Sequence, residues 1–468
     1  MTLIKSISGI RGTIGGLRGD SLTPYDIVKF SVGYSLWLKE KFPKRMPTVI
    51  VGRDGRVSGP FVSGLVVHTL AGCGVHVVDI GLSTTPSVEM AVKGLNADGG
   101  IIVTASHNPE NWNALKLLNQ EGEFLSAEDG EKVLLLSEQE ISTFPEWDKL
   151  GSIQQLDGGY YQQHIEAILA YPLIDGQAIE KKGFKVVVDA INSTGGIAVP
   201  LLLEKLGTRD IIVLNKEPMG HFAHNPEPLE AHLQEICRVV KEKKADLGIV
   251  VDPDVDRLAL IQEDGLMFGE ENTLVAVAQF FLKKKPGVVV NNLSSSRALK
   301  DVANAFGCRC YSAAVGEVNV VQKMKETGAV LGGEGNGGII VPELHYGRDA
   351  LAGIGLILSY MATENKTLKQ IWESLPQYYM AKKKITLPAG LNADALFKKL
   401  SEIYKNYELT TTDGLKIDLP HSWLHIRKSN TEPIVRIYSE AKSLQAAEDL
   451  ATSCIIKIEK LYENVLSL

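Results

Sequence analysis

Four loops in this 468-residue chain collect side chains that do chemistry. The first ends an apolar run in Thr104-Ala105-Ser106-His107-Asn108-Pro109. A serine hydroxyl delivered to the rim of a sheet is a nucleophile, a phosphate carrier or a turn residue. The second follows Leu247–Val251 and reads Asp252-Pro253-Asp254-Val255-Asp256-Arg257. In an extended strand its outer carboxylates would stand roughly 13 Å apart, too far to share an ion held at about 2.1 Å. The spacing works only if the chain curls after Val251, which Pro253 permits. A curled loop of three carboxylates repels itself unless a cation sits in it, and all-oxygen ligands favour Mg²⁺. The competing reading is a solvated acidic turn. An EF-hand is excluded, because the glycine and distal glutamate are missing at the required offsets.

The third loop, Gly332-Gly333-Glu334-Gly335-Asn336-Gly337-Gly338, stands Glu334 and Asn336 on bare glycine backbone. That allows close approach to a polyol such as a sugar; the plain alternative is a flexible turn. The fourth, His425-Ile426-Arg427-Lys428-Ser429-Asn430-Thr431-Glu432-Pro433 with Arg436 beyond it, has the makings of a phosphate clamp. Ser8-Gly9-Ile10-Arg11-Gly12 and Gly52-Arg53-Asp54-Gly55-Arg56 place further arginines in glycine turns. Together these are the parts of phosphoryl transfer: a hydroxyl, a carboxylate-bound metal, a polyol reader and an anion clamp. No dinucleotide fingerprint follows a first strand, and no P-loop is present.

The elements that must hold these loops follow one pattern. Short Val- and Ile-rich runs without alternation alternate with amphipathic stretches. The runs include Thr48–Val51, Val75–Ile80, Ile101–Val103, Val186–Val188, Ile211–Leu214, Leu247–Val251, Leu258–Ile261, Val288–Val290 and Ala329–Leu331. Helices are expected over Pro60–Ala71, Gly195–Leu206, Pro228–Lys243, Glu270–Lys284, Ser296–Phe306 and Glu317–Glu326. This predicts βαβ units and mostly parallel sheets buried on both faces. Three α/β pieces are expected at about 1–150, 151–262 and 263–372, and a smaller α+β domain at 378–468. The net charge of −7 excludes a nucleic-acid binder but not a locally basic pocket for small anions. Five cysteines form no disulfide framework. No run reaches the ~18 apolar residues of a membrane span, and the N-terminus has no signal-peptide pattern, so a cytoplasmic protein is expected.

The four motifs, in this order and spread over nearly the whole chain, resemble the phosphohexomutase superfamily, which includes phosphoglucomutase, phosphomannomutase and phosphoglucosamine mutase. Thr104–Pro109 looks like its phosphoserine loop and Asp252–Arg257 like its DGDGDR-type metal loop. Gly333–Gly338 is similar to its sugar loop and Arg427–Pro433 to its phosphate loop. The resemblance implies four domains around a central cleft. It implies a phosphorylated Ser106 that passes its phosphoryl group to a hexose monophosphate, giving a bisphosphate intermediate that returns the other group. Mg²⁺ would be held by Asp252, Asp254, Asp256 and the phosphate on Ser106. Lys116 matches a family lysine implicated in proton transfer, His107 lies beside the carrier, and Arg11 is counted with Ser106, His107 and Lys116 as catalytic. Arg257 would orient phosphoserine or sugar, and Glu334 and Asn336 would read hydroxyls. Arg427, Ser429, Asn430, Thr431 and Arg436 would hold the phosphate that is not transferred.

Departures from the family pattern matter. Pro253 and Val255 stand where glycine is common, Asn336 replaces a usual serine, and Gly338 replaces a usual histidine. Glu317 follows Val315-Gly316 and either pairs with a substrate ammonium or caps the next helix. The sugar loop and Gly347-Arg348-Asp349 look most like archaeal-type phosphoglucosamine mutases. Glucosamine phosphate is therefore favoured, with glucose or mannose phosphate close behind. A metal-dependent sugar phosphatase and a non-catalytic sugar-phosphate binder are the readings from other classes. Oligomeric state is not legible.

Overall fold

The computed structural model describes residues 2–6, 9–140, 143–156, 158–386, 393–428 and 434–466. Four sheets follow one another along the chain. The first has seven strands in the order Ile4–Ser6, Gly9–Thr13, Trp112–Leu118, Gly99–Val103, Thr48–Arg53, His76–Leu82, Ile153–Gln155. Its last four strands run parallel, and Trp112–Leu118 is antiparallel to both its neighbours. The second sheet pairs Leu247–Val251 parallel to Lys185–Asp189 and antiparallel to Leu258–Ile261, with Asp210–Leu214 at the far edge. The third pairs Val289–Asn292 parallel to Cys310–Ala313 and Leu331–Glu334, and closes on antiparallel Gly338–Ile340. The fourth is a five-stranded antiparallel sheet running from Tyr379–Thr386 to Glu408–Thr410.

Helix starts are chemically marked. Thr23 and Asp26 form a capping box on Pro24–Lys41, and Thr84 caps Thr85–Gly94. The apolar stretch from Leu351 to Ala362 lies in the helix Ala350–Thr363, capped by Asp349. It is buried almost throughout, and it packs into a single hydrophobic core that runs from Tyr161 to Leu375. The second and third sheets thus share one core, a continuity that the three-piece reading does not anticipate. The first sheet and the fourth keep cores of their own.

The first three sheets are also pinned by a buried polar chain. Ser87 Oγ lies 2.9 Å from His164 Nδ1, and His164 Nε2 lies 2.8 Å from Asp349 Oδ2. His345 lies 3.2 Å from the same oxygen and 3.1 Å from Glu89 Oε2. Burial works against charge on His345, but Asp349 and Glu89 push its pKa up to about 10. Burial pushes Glu89 up to about 8, with His345 pulling the other way. Both groups bind protons more tightly when folded, so both lose stabilisation as pH rises. The His345 contribution is complete below its ordinary pKa of about 6.5 and fades through about 10. The thermal midpoint should therefore fall between pH 7 and pH 10, and fall less steeply in His345→Gln. Parallel slopes for the two proteins would reject this role.

Candidate active site

The serine loop begins where Gly99–Val103 ends. Ser106 adopts φ +49°, a left-handed conformation uncommon for a side-chain-bearing residue. Arg56 holds the loop in that shape. Its buried guanidinium pairs with Asp54 and donates to the carbonyls of Ser106, Asn108, Pro109 and Trp112. Thr104 donates to Asp54 and accepts from the Ser106 amide. The result presents Ser106 Oγ 2.6 Å from Asp252 Oδ2, with His107 Nδ1 3.5 Å away.

The acidic loop curls as its spacing demands. Asp252 Oδ1 accepts the backbone N–H groups of Asp256 and Arg257, closing the turn on itself. Pro253 is not the only device: Val255 sits at φ +62° with its side chain fully buried. That is a costly position for a β-branched residue. The hydroxyls of Ser193 and Thr194 donate to the Pro253 carbonyl, and Thr85 donates to Asp254 Oδ2. All three aspartates are buried, and one oxygen from each lies within 4.8 Å of the others.

Each carboxylate is divided between partners. Asp254 Oδ2 takes Lys116 at 2.7 Å, and Asp256 Oδ2 takes Arg348 at 2.6 Å. The Oδ1 atoms of Asp254 and Asp256 are buried without a hydrogen-bond partner, and so is Arg257 Nε. Two carboxylate oxygens without a hydrogen-bond partner, in a triad whose oxygens come within 4.8 Å, fit a divalent cation, and the N–H of Arg257 Nε, 3.9 Å from Asp256 Oδ1, fits an anion. Burial and its two neighbouring aspartates raise Asp252 well above the carboxylate range. Burial would raise Asp254 too, but Lys116 and Thr85 bring it down. Burial opposes charge on Lys116, while Asp254 and Asp256 outweigh it and keep the amine protonated. Burial, with Arg257, Arg348 and Arg11 nearby, lowers His107 and keeps its imidazole neutral.

The glycine-rich loop expected to read a sugar runs between Leu331–Glu334 and Gly338–Ile340. Its glycines do less to admit a ligand than to admit the protein. A Cβ on Gly337 would stand 2.2 Å from the Leu258 carbonyl, and one on Gly338 would stand 2.3 Å from Arg348 Cδ. Arg348 is the hub. Its guanidinium donates to Asp256 Oδ2, to Glu334 Oε2 at 3.0 Å and to Glu317 Oε2 at 2.9 Å. Glu334 is held lower than its burial would allow, chiefly by Arg348 and by the Asn292 amide. Asn336 turns its Oδ1 back onto the Gly338 amide. Glu317 opens the helix Glu317–Thr327, yet both its oxygens accept from Arg348 rather than from its own helix.

Ser106, His107, Lys116, the three aspartates, Arg257, Glu317 and Glu334 thus come together. Arg11, on Gly9–Thr13, lies close enough to depress the charge of His107. Arg427 pairs with Asp413, whose carboxylate also accepts the Val315 amide two residues from Glu317. Arg436 donates to the Tyr438 hydroxyl at 3.4 Å. Ser429, Asn430 and Thr431 lie outside the described residues. Arg56, Thr85 and Arg348 are the site's unforeseen members. Arg56 and Arg348 each follow a glycine, and Gly347-Arg348-Asp349 also carries part of the family resemblance, whereas Thr85 has no such signal.

Known proteins resemble this chain over nearly its whole length. The three α/β domain models of phosphoglucomutase/phosphomannomutase match residues 3–142, 160–265 and 270–379, and the model of its C-terminal domain matches 382–455. A phosphoglucomutase/phosphomannomutase of Thermococcus kodakarensis is 35% identical over 94% of this chain and 96% of its own. A phosphoglucosamine/phosphogalactosamine mutase of Sulfurisphaera tokodaii is 31% identical over 97% and 98%. The crystal structure of a phosphoglucomutase/phosphomannomutase family protein from Burkholderia thailandensis superposes with a TM-score of 0.80 at 25% identity, covering 96% of each chain.

Cation binding is measurable without turnover. Mg²⁺ at about 100 times its dissociation constant should stabilise the fold by about 2.7 kcal/mol and raise the thermal midpoint. Asp254→Asn should lose most of that shift. A wild-type midpoint indifferent to Mg²⁺ would remove the cation from the site.

Proposed function

The chain belongs to the phosphoglucomutase/phosphomannomutase family, and from that premise we propose how its residues act as a hexose-phosphate isomerase. Ser106 carries the phosphoryl group. In the forward half-reaction its Oγ–P bond breaks as an O–P bond forms to a sugar hydroxyl. The proton of that hydroxyl is returned, net, to Ser106 Oγ. In the second half-reaction Ser106 Oγ takes the phosphoryl group from the other end of the bisphosphate, and the 6-phosphate and 1-phosphate are interconverted. Protonated Lys116 and neutral His107 are the donor and acceptor beside these transfers. Asp252, Asp254 and Asp256, with the phosphate on Ser106, would hold Mg²⁺. Bound there, the ion supplies charge neutralisation to the group in transfer. Arg257 and Arg11 orient phosphate, Glu334 and Asn336 face the sugar, and Arg427 and Arg436 belong to the clamp for the second phosphate. Glucosamine phosphate is the favoured sugar, with glucose and mannose phosphates accepted by the same site.

One observation carries the reading: Ser106 Oγ, in its constrained turn, lies 2.6 Å from a carboxylate of a triad that fits a divalent cation. A phosphatase would use the same carboxylates, but it has no need of a second phosphate clamp. Intact-mass analysis should find a phosphorylated fraction that maps to Ser106. Ser106→Ala should lower kcat by roughly a thousandfold or more. A near-normal isomerisation rate in that variant would overturn the mechanism, and inorganic phosphate as the main product would favour the hydrolase.

A further inference from the structure

A carboxylate reads an ammonium by directing a free lone pair at it. Each oxygen of Glu317 already accepts one N–H, so only one lone pair is left on each. Its Oε1 accepts the Arg348 backbone N–H at 3.2 Å, and its Oε2 accepts Arg348 Nε at 2.9 Å. Arg348 is itself locked. Nη1 is on Glu334 and Nη2 is on Asp256, and its aliphatic stem fills the space where residue 338 has no side chain. An amino group on the sugar would thus meet a carboxylate whose charge Arg348 already offsets, gaining little, while a planar fork bonded at three nitrogens resists displacement.

We propose that Arg348 is the specificity-determining residue of the sugar site, because it occupies Glu317 and so sets how much of that carboxylate an amino sugar can use. The inference rests on the reading of the site as one for hexose phosphates, and it makes Glu317 a positioning residue for Arg348. The preference of the wild-type enzyme for glucosamine phosphate over glucose phosphate is then a small one. A lysine at 348 offers a single point charge in place of the fork. It cannot span Asp256, Glu334 and Glu317 together, so it releases a Glu317 oxygen to the substrate.

The test is the ratio of kcat/KM for glucosamine 1-phosphate to kcat/KM for glucose 1-phosphate, measured on full-length enzyme with Mg²⁺. Arg348→Lys should raise the ratio about tenfold, the size of one charge-assisted hydrogen bond. Glu317→Gln should lower both rates yet leave the ratio within about twofold, and the double variant should return it to the wild-type value. A purely structural arginine would lower both rates in Arg348→Lys without moving the ratio, and that result overturns the proposal. So does a tenfold fall of the ratio in Glu317→Gln alone, which would make Glu317 a direct amine reader. The Glu317→Gln arm decides the matter even where Arg348→Lys fails to fold. Failure of the underlying mutase reading looks different: wild-type enzyme would then isomerise neither sugar.

Discussion

The structure is organised around the repulsion of buried carboxylates. Asp252, Asp254, Asp256, Glu317 and Glu334 are all buried, and the triad oxygens stand within 4.8 Å of one another. At the effective dielectric of a protein site, each such pair of charges repels by roughly 3–4 kcal/mol. Lys116, Arg257 and Arg348 answer part of it, and even with Arg11 counted the carboxylates outnumber the cations. A divalent ion is the natural complement of that excess. The same logic explains why the aspartates are divided so carefully. Lys116 and Arg348 each take one oxygen of an aspartate, which fixes its orientation and leaves the other oxygen without a hydrogen-bond partner.

Holding such a cluster requires backbone that does not relax. Ser106 and Val255 both sit in left-handed conformations, each costing of order 1–3 kcal/mol. The strain is tolerated because the surroundings over-determine it. Arg56 binds four carbonyls of the serine loop, and two hydroxyls bind the Pro253 carbonyl. The buried chain from Glu89 and Ser87 through His164 and His345 to Asp349 keeps the first sheet registered against the core shared by the other two. Asp349 adjoins Arg348, so the joint that fixes the sheets also fixes the hub of the site.

Much of this was legible where one physical rule dominates. Leu247–Val251 and Leu258–Ile261 are strands and Glu270–Lys284 is a helix with the expected ends, because both faces of the sheet are buried and the helix has clean apolar spacing. Trp112–Leu118 escaped, since Asn113 and Lys116 interrupt its apolar run. Lys116 breaks the pattern because it carries a charge into the cleft, and only family resemblance pointed to it. Arg348 escaped for a different reason. Nothing within a few residues of it says that its guanidinium will be buried among carboxylates that lie 14, 31 and 92 positions away in the chain.

The glycines of the sugar loop show how a correct motif can carry the wrong physical explanation. Bare backbone there suggested room for a ligand. The space is instead taken by the protein: Gly337 lies against the Leu258 carbonyl, its own carbonyl accepts the Leu258 amide at 3.1 Å, and Gly338 yields to the stem of Arg348. Leu258 follows Arg257, so these contacts weld the sugar loop to the metal loop. A side chain at either glycine would pry the two loops apart before it touched any sugar. The loop's composition therefore encodes a fixed distance between the acidic loop Asp252–Arg257 and the loop that carries Glu334 and Asn336.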